Sequence, residues 1–298
     1  MSNRRVLLFI NPVSGKGRAG SIALRLSNYG HKIGVECIAV EPASIKQVLP
    51  DLSRALELAK YDALVVIGGD GLVHSAIQLA CDNSISIYVV PAGTGNDVAR
   101  SNELLTISPN EIFKAIYEQM PTTVDLGAIS YEGGERKYCQ ILSTGFDAQV
   151  NERANRNRVV TGKMKYNYAT LVEINRFKPI NYELDIDGAT RKLSAMLVAI
   201  ANAGTYGGGM KLCPMADRQD GYLDIMILHP VSKIELLKVF PKVYSGKHVT
   251  HPAVEFLRCK KIKLVADTVA YADGERVGEL PISVEIRPQS LRTWALQK

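Results

Sequence analysis

Residues 63–71 read Ala-Leu-Val-Val-Ile-Gly-Gly-Asp-Gly, an apolar run that leads directly into a glycine-rich turn. The β-branched part of this run favours a strand that is buried on both faces, as in parallel sheets. Glycines at the carboxyl end of such a strand leave bare backbone where open α/β sheets bind their ligands. Their N–H groups can approach phosphate oxygens closely, and Asp70 can hold Mg²⁺ through water. The stretch therefore predicts a phosphate-binding turn.

A second turn of the same kind follows the next strand along the chain. Residues 85–90 form an apolar run, and residues 91–97 read Pro-Ala-Gly-Thr-Gly-Asn-Asp. Asp70 and Asp97 would repel each other as a buried pair, whereas Mg²⁺ makes both ionised forms favourable. Helix capping is the ordinary alternative for an aspartate beside glycine. Two such turns on neighbouring strands predict one nucleoside triphosphate site.

The first 125 residues alternate strands and helices, which favours a mostly parallel sheet covered by helices. The predicted strands are Val6–Ile10, Val35–Val40, Ala63–Ile67 and Ile85–Val90. The predicted helices are Gly20–Tyr29, Ile45–Lys60 and Val73–Ala80, with a further helix starting at Asp97–Arg100.

After Asp125-Leu126-Gly127 the pattern changes to short strands separated by Gly, Asp and Pro turns, which is typical of an antiparallel sandwich. The predicted strands are Ala128–Tyr131, Tyr138–Ser143, Tyr182–Asp187, Leu193–Asn202, Leu223–Leu228, Ile262–Val265, Val269–Ala272 and Ile282–Ile286. Helical insertions are predicted at Ala148–Arg176 and Ser232–Gly246. We therefore expect two domains, 1–125 and 126–298, with the final residues able to return to the first.

Composition limits the class of protein. The chain has 298 residues, 46% of them hydrophobic, and a net charge of +6 that favours acidic partners such as nucleotides, nucleic acid or anionic lipid. Simple solubility explains that charge equally well. Five scattered cysteines without a Cys-x-x-Cys spacing indicate reduced thiols, and no apolar stretch is long enough for a signal peptide or a bilayer span. We expect a cytoplasmic protein.

The order of the motifs resembles the diacylglycerol kinase family, related to the sphingosine kinases and more distantly to the NAD kinases. The match comprises Asn-Pro-x-Ser-Gly at 11–15, Gly-Gly-Asp-Gly at 68–71, Pro-x-Gly-Thr-Gly-Asn-Asp at 91–97, Asp-Leu-Gly at 125–127 and Asp-Gly-Glu at 273–275. It covers essentially the whole chain. The resemblance implies an NAD-kinase-like (Rossmann-like) α/β domain followed by a β-sandwich domain. It also implies transfer of the γ-phosphate of Mg-ATP to a lipid hydroxyl, with diacylglycerol as the first choice of acceptor.

The resemblance also implies roles for particular residues. It assigns the nucleotide to Asn11, Pro12, Ser14, Gly15, Lys16, Gly68, Gly69, Asp70, Gly71, Gly93, Thr94, Gly95 and Asn96. It assigns Mg²⁺ to Asp70, Asp97, Asp220 and Asp224, although the usual Asp-Asp-Gly here reads Gln219-Asp220-Gly221. Asp70 also counts as catalytic, and either Asp273 or Glu275 would deprotonate the acceptor hydroxyl. The sequence leaves that choice open.

One departure from the family pattern affects the turn after Asp70. Leu72, His74 and Ser75 stand where many members have threonine, asparagine and glutamate. We expect His74 on the helix surface or in a cap rather than as a base. Two alternatives therefore stay open: a kinase of another lipid, such as a sphingoid base or phosphatidylglycerol, and a non-catalytic regulator that binds lipid or nucleotide.

A basic run follows the first helical insertion. It contains Arg153, Arg156, Arg158, Lys163 and Lys165, with Tyr166 and Tyr168 nearby. A solvated helix face is the common explanation of such a run. Peripheral contact with an anionic membrane would suit a lipid kinase, whose lipid substrate we expect in an apolar pocket of the second domain. No nucleic-acid partner is expected, because no recognised binding module accompanies the charge; a homodimer is left open.

Overall fold

The computed structural model describes residues 4–104, 108–156, 169–170, 172–174 and 176–295. The chain divides into two compact units. The first comprises Met1–Val124 together with Gln289–Lys298, and the second comprises Asp125–Pro288.

The first unit is a parallel sheet with helices. Its strands are β1 (Arg5–Ile10), β2 (Glu36–Val40), β3 (Ala63–Gly68) and β4 (Ile87–Pro91), which pair in parallel in the order β2-β1-β3-β4. Its helices are α1 (Arg18–Lys32), α2 (Val48–Leu58), α3 (Asp70–Ala80), α4 (Asp97–Ser101) and α5 (Pro109–Glu118), and a short 3₁₀ turn, Ile45–Gln47, precedes α2. Every residue of β3 is buried, as expected for a central strand covered on both faces.

The carboxyl terminus completes the first unit. Thr293 pairs in parallel with Ile87 at the edge of β4. The next residue, Trp294, lies in the same apolar core as Tyr88, with 6.0 Å between the ring centroids. Its indole N–H donates to the carbonyl oxygen of Gln119 at 3.2 Å, which satisfies the one polar group of a buried ring.

The second unit holds two antiparallel sheets. Its strands are β5 (Thr122–Tyr131), β6 (Gly134–Tyr138), β7 (Ile141–Gly145), β8 (Ile180–Ile186), β9 (Ala189–Ala195), β10 (Leu197–Ala201), β11 (Leu223–Leu228), β12 (Val254–Cys259), β13 (Lys261–Val265), β14 (Val269–Ala272), β15 (Glu275–Glu279) and β16 (Ile282–Thr293). The first residues of β5, 122–124, and the last residues of β16, 289–293, belong to the first unit. One sheet has the order β12-β11-β10-β7-β14-β15, and β9, β8, β13 and β16 are neighbours in the other. The helices are α6 (Phe146–Arg156) and α7 (Lys233–Val239), followed by 3₁₀ turns at Phe240–Ser245 and Lys247–Thr250.

The six-stranded sheet is buried on both faces. Along β10 and β11, Ile200 and Ile225 point into the core shared with the other sheet. Their chain neighbours Ala199 and Met226 face a second core, to which α6 and α7 contribute. This arrangement explains why β10 and β11 read as continuous apolar runs rather than as alternating ones.

The predicted fold class, an α/β unit followed by an antiparallel β unit, is confirmed. Helix α5 was not predicted, although Pro109 at its start and the buried Ile112 and Ile116 are a typical helical signature. The single strand predicted over Leu193–Asn202 is two, because the chain leaves one sheet after Ala195 and enters the other at Leu197. Residues 157–168, 171 and 175 of the predicted insertion Ala148–Arg176 lie outside the described residues. Among those that are described, no helix is long and apolar enough to cross a membrane.

Candidate active site

The two glycine-rich turns of the first unit are in direct contact. A side chain at Gly93 would come within 2.5 Å of the Gly69 Cα, so only glycine allows the turns to approach this closely. The Ala92 N–H donates to the Gly68 carbonyl at 3.0 Å and continues the β3–β4 pairing into the turns. The sequence placed these turns on neighbouring strands, and the structure brings them together.

Asp70 holds the second turn in place. Its Oδ2 accepts the backbone N–H of Asn96 at 2.9 Å, and its Oδ1 accepts the backbone N–H of Asp97 at 2.6 Å. Hydrogen bonds to an ionised acceptor are stronger than hydrogen bonds between two neutral groups. Asp70 is also the first residue of α3, three residues earlier than the helix start predicted at Val73. The positive end of the helix dipole therefore stabilises its negative charge.

Asn96 shapes the turn between Gly93 and Asp97. Its backbone is left-handed, with φ 55°, and its side-chain amide bonds to both the N–H and the carbonyl of Gly93, at 2.8 and 3.0 Å. The structure thus gives its side chain a role within the turn, whereas Thr94 at the tip is exposed.

Gly95 lies against two carboxylates. A side chain at this position would collide with Asp70 Oδ2 and would stand 3.6 Å from Asp97 Oδ2. Magnesium in nucleotide sites is commonly held by one or two carboxylates together with phosphate oxygens and water. Asp70 and Asp97 fit that mode of binding. Among the described residues, no group of three or more His, Cys, Asp or Glu side chains could hold a metal ion by itself.

The loop between β1 and α1 adjoins the second turn. A side chain at Gly15 would collide with the Ala92 carbonyl oxygen. Gly15, Lys16 and Gly17 are successive left-handed residues, with φ of 59°, 59° and 87°. Helix α1 begins at Arg18 without a side-chain cap in the part of the chain that the structure describes, and Lys16 is exposed. An uncapped helix start beside a lysine is a favourable place for an anion.

The departure after Asp70 has a packing explanation. Leu72 is buried and lies over Gly68, where a side chain would come within 2.7 Å of the Leu72 Cδ2. His74 is 6% exposed, so the prediction that it lies on the helix surface is wrong. Leu72 and His74 lie on different sides of α3 and both are buried, and the Ser75 hydroxyl donates to the Gly71 carbonyl at 3.0 Å.

Asp220 and Asp224, in the second unit, are paired with an arginine. Arg258 lies opposite Asp224 across β11 and β12, forms an ion pair with Asp220 and lies 3.5 Å from Asp224 Oδ1. Its guanidinium also stacks on Tyr222, 4.6 Å from the ring centroid. Burial raises the pKa of Asp224, and Arg258 counteracts this shift. Arg258 supplies one positive charge for these two carboxylates, and the role of Asp220 and Asp224 in holding magnesium stays a prediction.

The two candidate bases of the Asp-Gly-Glu motif at 273–275 have different surroundings. Asp273 Oδ2 accepts the Cys139 N–H at 2.9 Å, and Oδ1 accepts those of Gln140 and Ile141 at 2.9 and 3.3 Å. Asp273 therefore fastens the β14–β15 turn to the start of β7. Glu275, the first residue of β15, is exposed. The geometry leaves Glu275 available to a substrate.

Two buried residues extend this network, and the sequence assigned neither a role. Asp125 is 1% exposed and its Oδ2 accepts the Gly221 N–H at 2.8 Å, which orders the loop before β11. Asn202 donates to the carbonyls of Asp125 and Cys139, at 2.8 and 2.9 Å. Asp125 belongs to the Asp-Leu-Gly motif, which was a usable signal. Nothing marks Asn202 beyond its place after a buried strand.

The second unit also contains an apolar cavity of about 50 Å³, between the six-stranded sheet and the α7 segment. Its lining includes Leu197, Met226, Leu228, Leu236, Phe240 and Val243. Asp147 is a polar member of the wall, where the Ser143 hydroxyl donates to its Oδ2 at 2.5 Å. Burial raises the pKa of Asp147, and hydrogen bonds from Ser143 and Tyr206 act in the opposite direction.

The basic run of the first helical insertion is described only in part. Arg153 forms an ion pair with Glu173. Arg158, Lys163, Lys165, Tyr166 and Tyr168 lie outside the described residues, as does the side chain of Arg156.

Comparisons with known proteins agree with the motifs. Residues 5–129 match the family described as the diacylglycerol kinase catalytic domain, and residues 140–295 match the YegS C-terminal NAD kinase beta sandwich-like domain. A diacylglycerol kinase of Mycobacterium tuberculosis (strain ATCC 25618 / H37Rv) is 35% identical over 297 residues, covering 97% of this chain and 94% of that protein. One of Staphylococcus saprophyticus is 26% identical over 290 residues, covering 93% and 91%.

A solved structure shares the fold. The crystal structure of a diacylglycerol kinase from Bacillus anthracis str. Sterne gives a TM-score of 0.71 at 18% identity, covering 99% of this chain and 98% of that one. The resemblance inferred from the motifs is thereby confirmed over both units. The chain belongs to the diacylglycerol kinase family, whose members are ATP-dependent lipid kinases.

Proposed function

We propose that the protein transfers the γ-phosphoryl group of Mg-ATP to the free hydroxyl of a diacylglycerol and forms phosphatidic acid. The observation that carries this proposal is the joined pair of glycine turns, with the carboxylates of Asp70 and Asp97 beside Gly95. The relatives named diacylglycerol kinase support the choice of acceptor.

The first unit would bind the triphosphate. Backbone N–H groups of the turn 68–71, of Thr94 and Gly95, and of the Asn11–Gly17 loop would face the phosphate oxygens, with Lys16 and Thr94 as exposed side-chain donors. Asp70 and Asp97 would hold Mg²⁺, which neutralises phosphate charge when bound. Because Asp70 also fixes the backbone of Asn96 and Asp97, it would keep the phosphate-binding donors in place before the nucleotide arrives.

Glu275 would act as the general base. It is exposed, whereas both oxygens of Asp273 already accept backbone N–H groups. As the acceptor oxygen forms its bond to the γ-phosphorus, its proton passes to Glu275. The bond from that phosphorus to the β–γ bridging oxygen breaks, and ADP leaves.

The acceptor would use the second unit. A diacylglycerol has one hydroxyl beside two apolar chains, and the cavity behind α7 offers a mostly apolar wall whose polar members are Asp147, Tyr206 and His248. The cavity is small, about 50 Å³, so an acyl chain would have to open it further. Such a kinase would meet its lipid at a membrane surface, and we propose peripheral contact with an anionic bilayer.

A lipid panel tests this function. Purified protein is incubated with radiolabelled ATP and Mg²⁺, and with dioleoylglycerol, sphingosine, phosphatidylglycerol or glycerol in mixed micelles. We expect labelled phosphatidic acid to be the main product, and little label with Asp70→Ala. If sphingosine or phosphatidylglycerol gave the main product, that lipid would be the acceptor instead of diacylglycerol. Equal label from the wild type and Asp70→Ala with every acceptor would refute the kinase function.

A further inference from the structure

The segment Ser232–Lys247 has one buried side and one exposed side. Leu236, Val239 and Val243 are 3, 4 and 7% exposed, and all three line the apolar cavity. The Ser232 hydroxyl caps the segment by accepting the Glu235 N–H at 3.2 Å. The Lys211 N–H donates to the Val243 carbonyl at 3.0 Å and holds its far end. The inner side is therefore a wall of the cavity.

The outer side presents large apolar side chains among lysines. Ile234, Leu237 and Tyr244 are 67, 47 and 50% exposed. Lys233, Lys238, Lys242 and Lys247 are exposed along the same segment. We call these seven residues the lysine-rich face. Exposed apolar residues grouped on one element are uncommon on a surface that meets only water.

The charge of this segment is positive. Its four lysines outnumber its one carboxylate, Glu235, whose Oε1 lies 3.2 Å from the Nε2 of His251. Four lysines with interspersed isoleucine, leucine and tyrosine have the composition of an interfacial helix, whose apolar side chains enter the acyl region while its cations meet lipid phosphates. Each lysine near an anionic bilayer adds to the attraction.

We propose that the lysine-rich face docks on an anionic lipid bilayer. The inference deepens the proposed function and rests on it only for the choice of a membrane lipid as acceptor. Because inner and outer sides belong to one short segment, docking would bring the bilayer to the outside of the cavity wall. A diacylglycerol could then enter the cavity past α7 without crossing open water. The aliphatic Ile234 and Leu237 favour a bilayer over a nucleic acid, whose phosphates would attract the lysines alone.

The sequence suggested a different surface for this contact, the basic run that begins at Arg153. The described part of that run gives less support for docking. Arg153 already forms an ion pair with Glu173. In contrast, Ile234 and Leu237 are exposed next to lysines, so this face supplies both apolar area and charge. The structure thus provides a membrane contact that the charge pattern of the sequence did not indicate.

Vesicle co-sedimentation tests the docking surface. The full-length protein is mixed with vesicles of phosphatidylcholine alone, or of phosphatidylcholine together with the anionic lipid phosphatidylglycerol. Two variants change the face: Ile234→Asn with Leu237→Asn, and Lys238→Glu with Lys242→Glu. Matched controls make the same changes elsewhere, at Leu24 and Leu58 and at Lys60 and Lys263, which are all exposed.

We expect the wild type and both controls to bind the anionic vesicles. Each face variant should bind at least about tenfold more weakly. Equal binding of face variants and controls would overturn the proposal, as would a wild type that does not bind or that binds phosphatidylcholine equally well. Circular dichroism checks that the variants are folded.

A second readout separates docking from catalysis. With dihexanoylglycerol dispersed as monomers, the face variants should phosphorylate as fast as the controls, and with dioleoylglycerol in anionic vesicles they should be slower. Loss on both substrates would mean that the segment serves catalysis or folding, and would overturn the docking role. If no lipid is phosphorylated by the wild type, the proposed function fails, while the sedimentation result still decides the docking.

Discussion

The aspartates of the two units meet different partners. In the first unit, Asp70 and Asp97 gather beside Gly95, and Asp70 holds the backbone of the adjoining turn. In the second unit, Asp224 faces Arg258 and Asp273 accepts three backbone N–H groups. Asp70 and Asp273 each stand beside a glycine, so the sequence around them looks alike. The partners of each aspartate decide whether it offers oxygens to a ligand or stabilises a loop.

The largest expected effect is at Asp70, because its carboxylate both faces the proposed ligand site and holds the backbone of the adjoining turn. Asp70→Asn replaces one accepting oxygen with an N–H donor that faces another N–H, so the Asn96–Asp97 backbone loses a partner. We expect kcat to fall about a thousandfold and the free energy of unfolding to fall by about 1–3 kcal/mol. Kinase assays and urea unfolding measure both effects. A variant that loses stability but keeps its kcat would reduce Asp70 to a structural residue.

The next effect separates the two candidate bases. Glu275→Gln should lower kcat about a hundredfold or more, because the acceptor hydroxyl loses its proton acceptor. Glu275 is exposed, so the melting temperature should stay within a degree or so of the wild type. Glu279→Gln, at the other end of β15, is the matched control and should leave kcat unchanged. An unchanged kcat in Glu275→Gln would exclude this residue as the base.

Asp273→Asn should lower the stability of the protein more than its kcat, the reverse of Glu275→Gln. Its carboxylate accepts N–H groups from Cys139, Gln140 and Ile141, so an amide there places a donor against a donor. We expect the free energy of unfolding to fall by about 2–3 kcal/mol. The activity of the folded fraction should fall much less than in Glu275→Gln. Urea unfolding followed by tryptophan fluorescence and circular dichroism gives the stability, and a fall in kcat without a fall in stability would contradict this role.

Much of the fold was predictable, because strand periodicity and glycine turns are local signals. The run Ala63–Ile67 and the turn after it identified β3, and the antiparallel character of the second unit followed from its short strands. The shift from β9 to β10 was not predictable, since residues 193–202 read as one apolar run whichever sheet each half joins.

The site was predictable in its residue types but less so in its roles. Gly-Gly-Asp-Gly identified Asp70 as important, yet its bonds to Asn96 and Asp97 are long-range contacts that no spacing along the chain reveals. The same holds for Asp273 and for Asn202. Arg258 had no motif at all, because it becomes a partner of Asp220 and Asp224 only through the pairing of β11 with β12.

The smallest expected effect concerns Arg258, the cation that contacts both Asp220 and Asp224. Arg258→Met removes the cation from a carboxylate, Asp224, that is only 3% exposed. We expect a loss of about 1–2 kcal/mol in the free energy of unfolding, less than for a fully buried pair because Arg258 is half-exposed. Arg258→Lys, the matched control, should lose less.

The effect of Mg²⁺ on thermal stability gives a second test of the role of Arg258. Without nucleotide, EDTA should leave the melting temperature of the wild type unchanged. In Arg258→Met the unpaired carboxylates would attract a divalent cation, so added Mg²⁺ should recover part of the lost stability. Thermal unfolding with EDTA and with Mg²⁺ measures both effects. If EDTA destabilised both the wild type and Asp70→Ala as much as Arg258→Met, Asp220 and Asp224 would bind a metal despite Arg258, and the two units would no longer differ in how their carboxylates are neutralised.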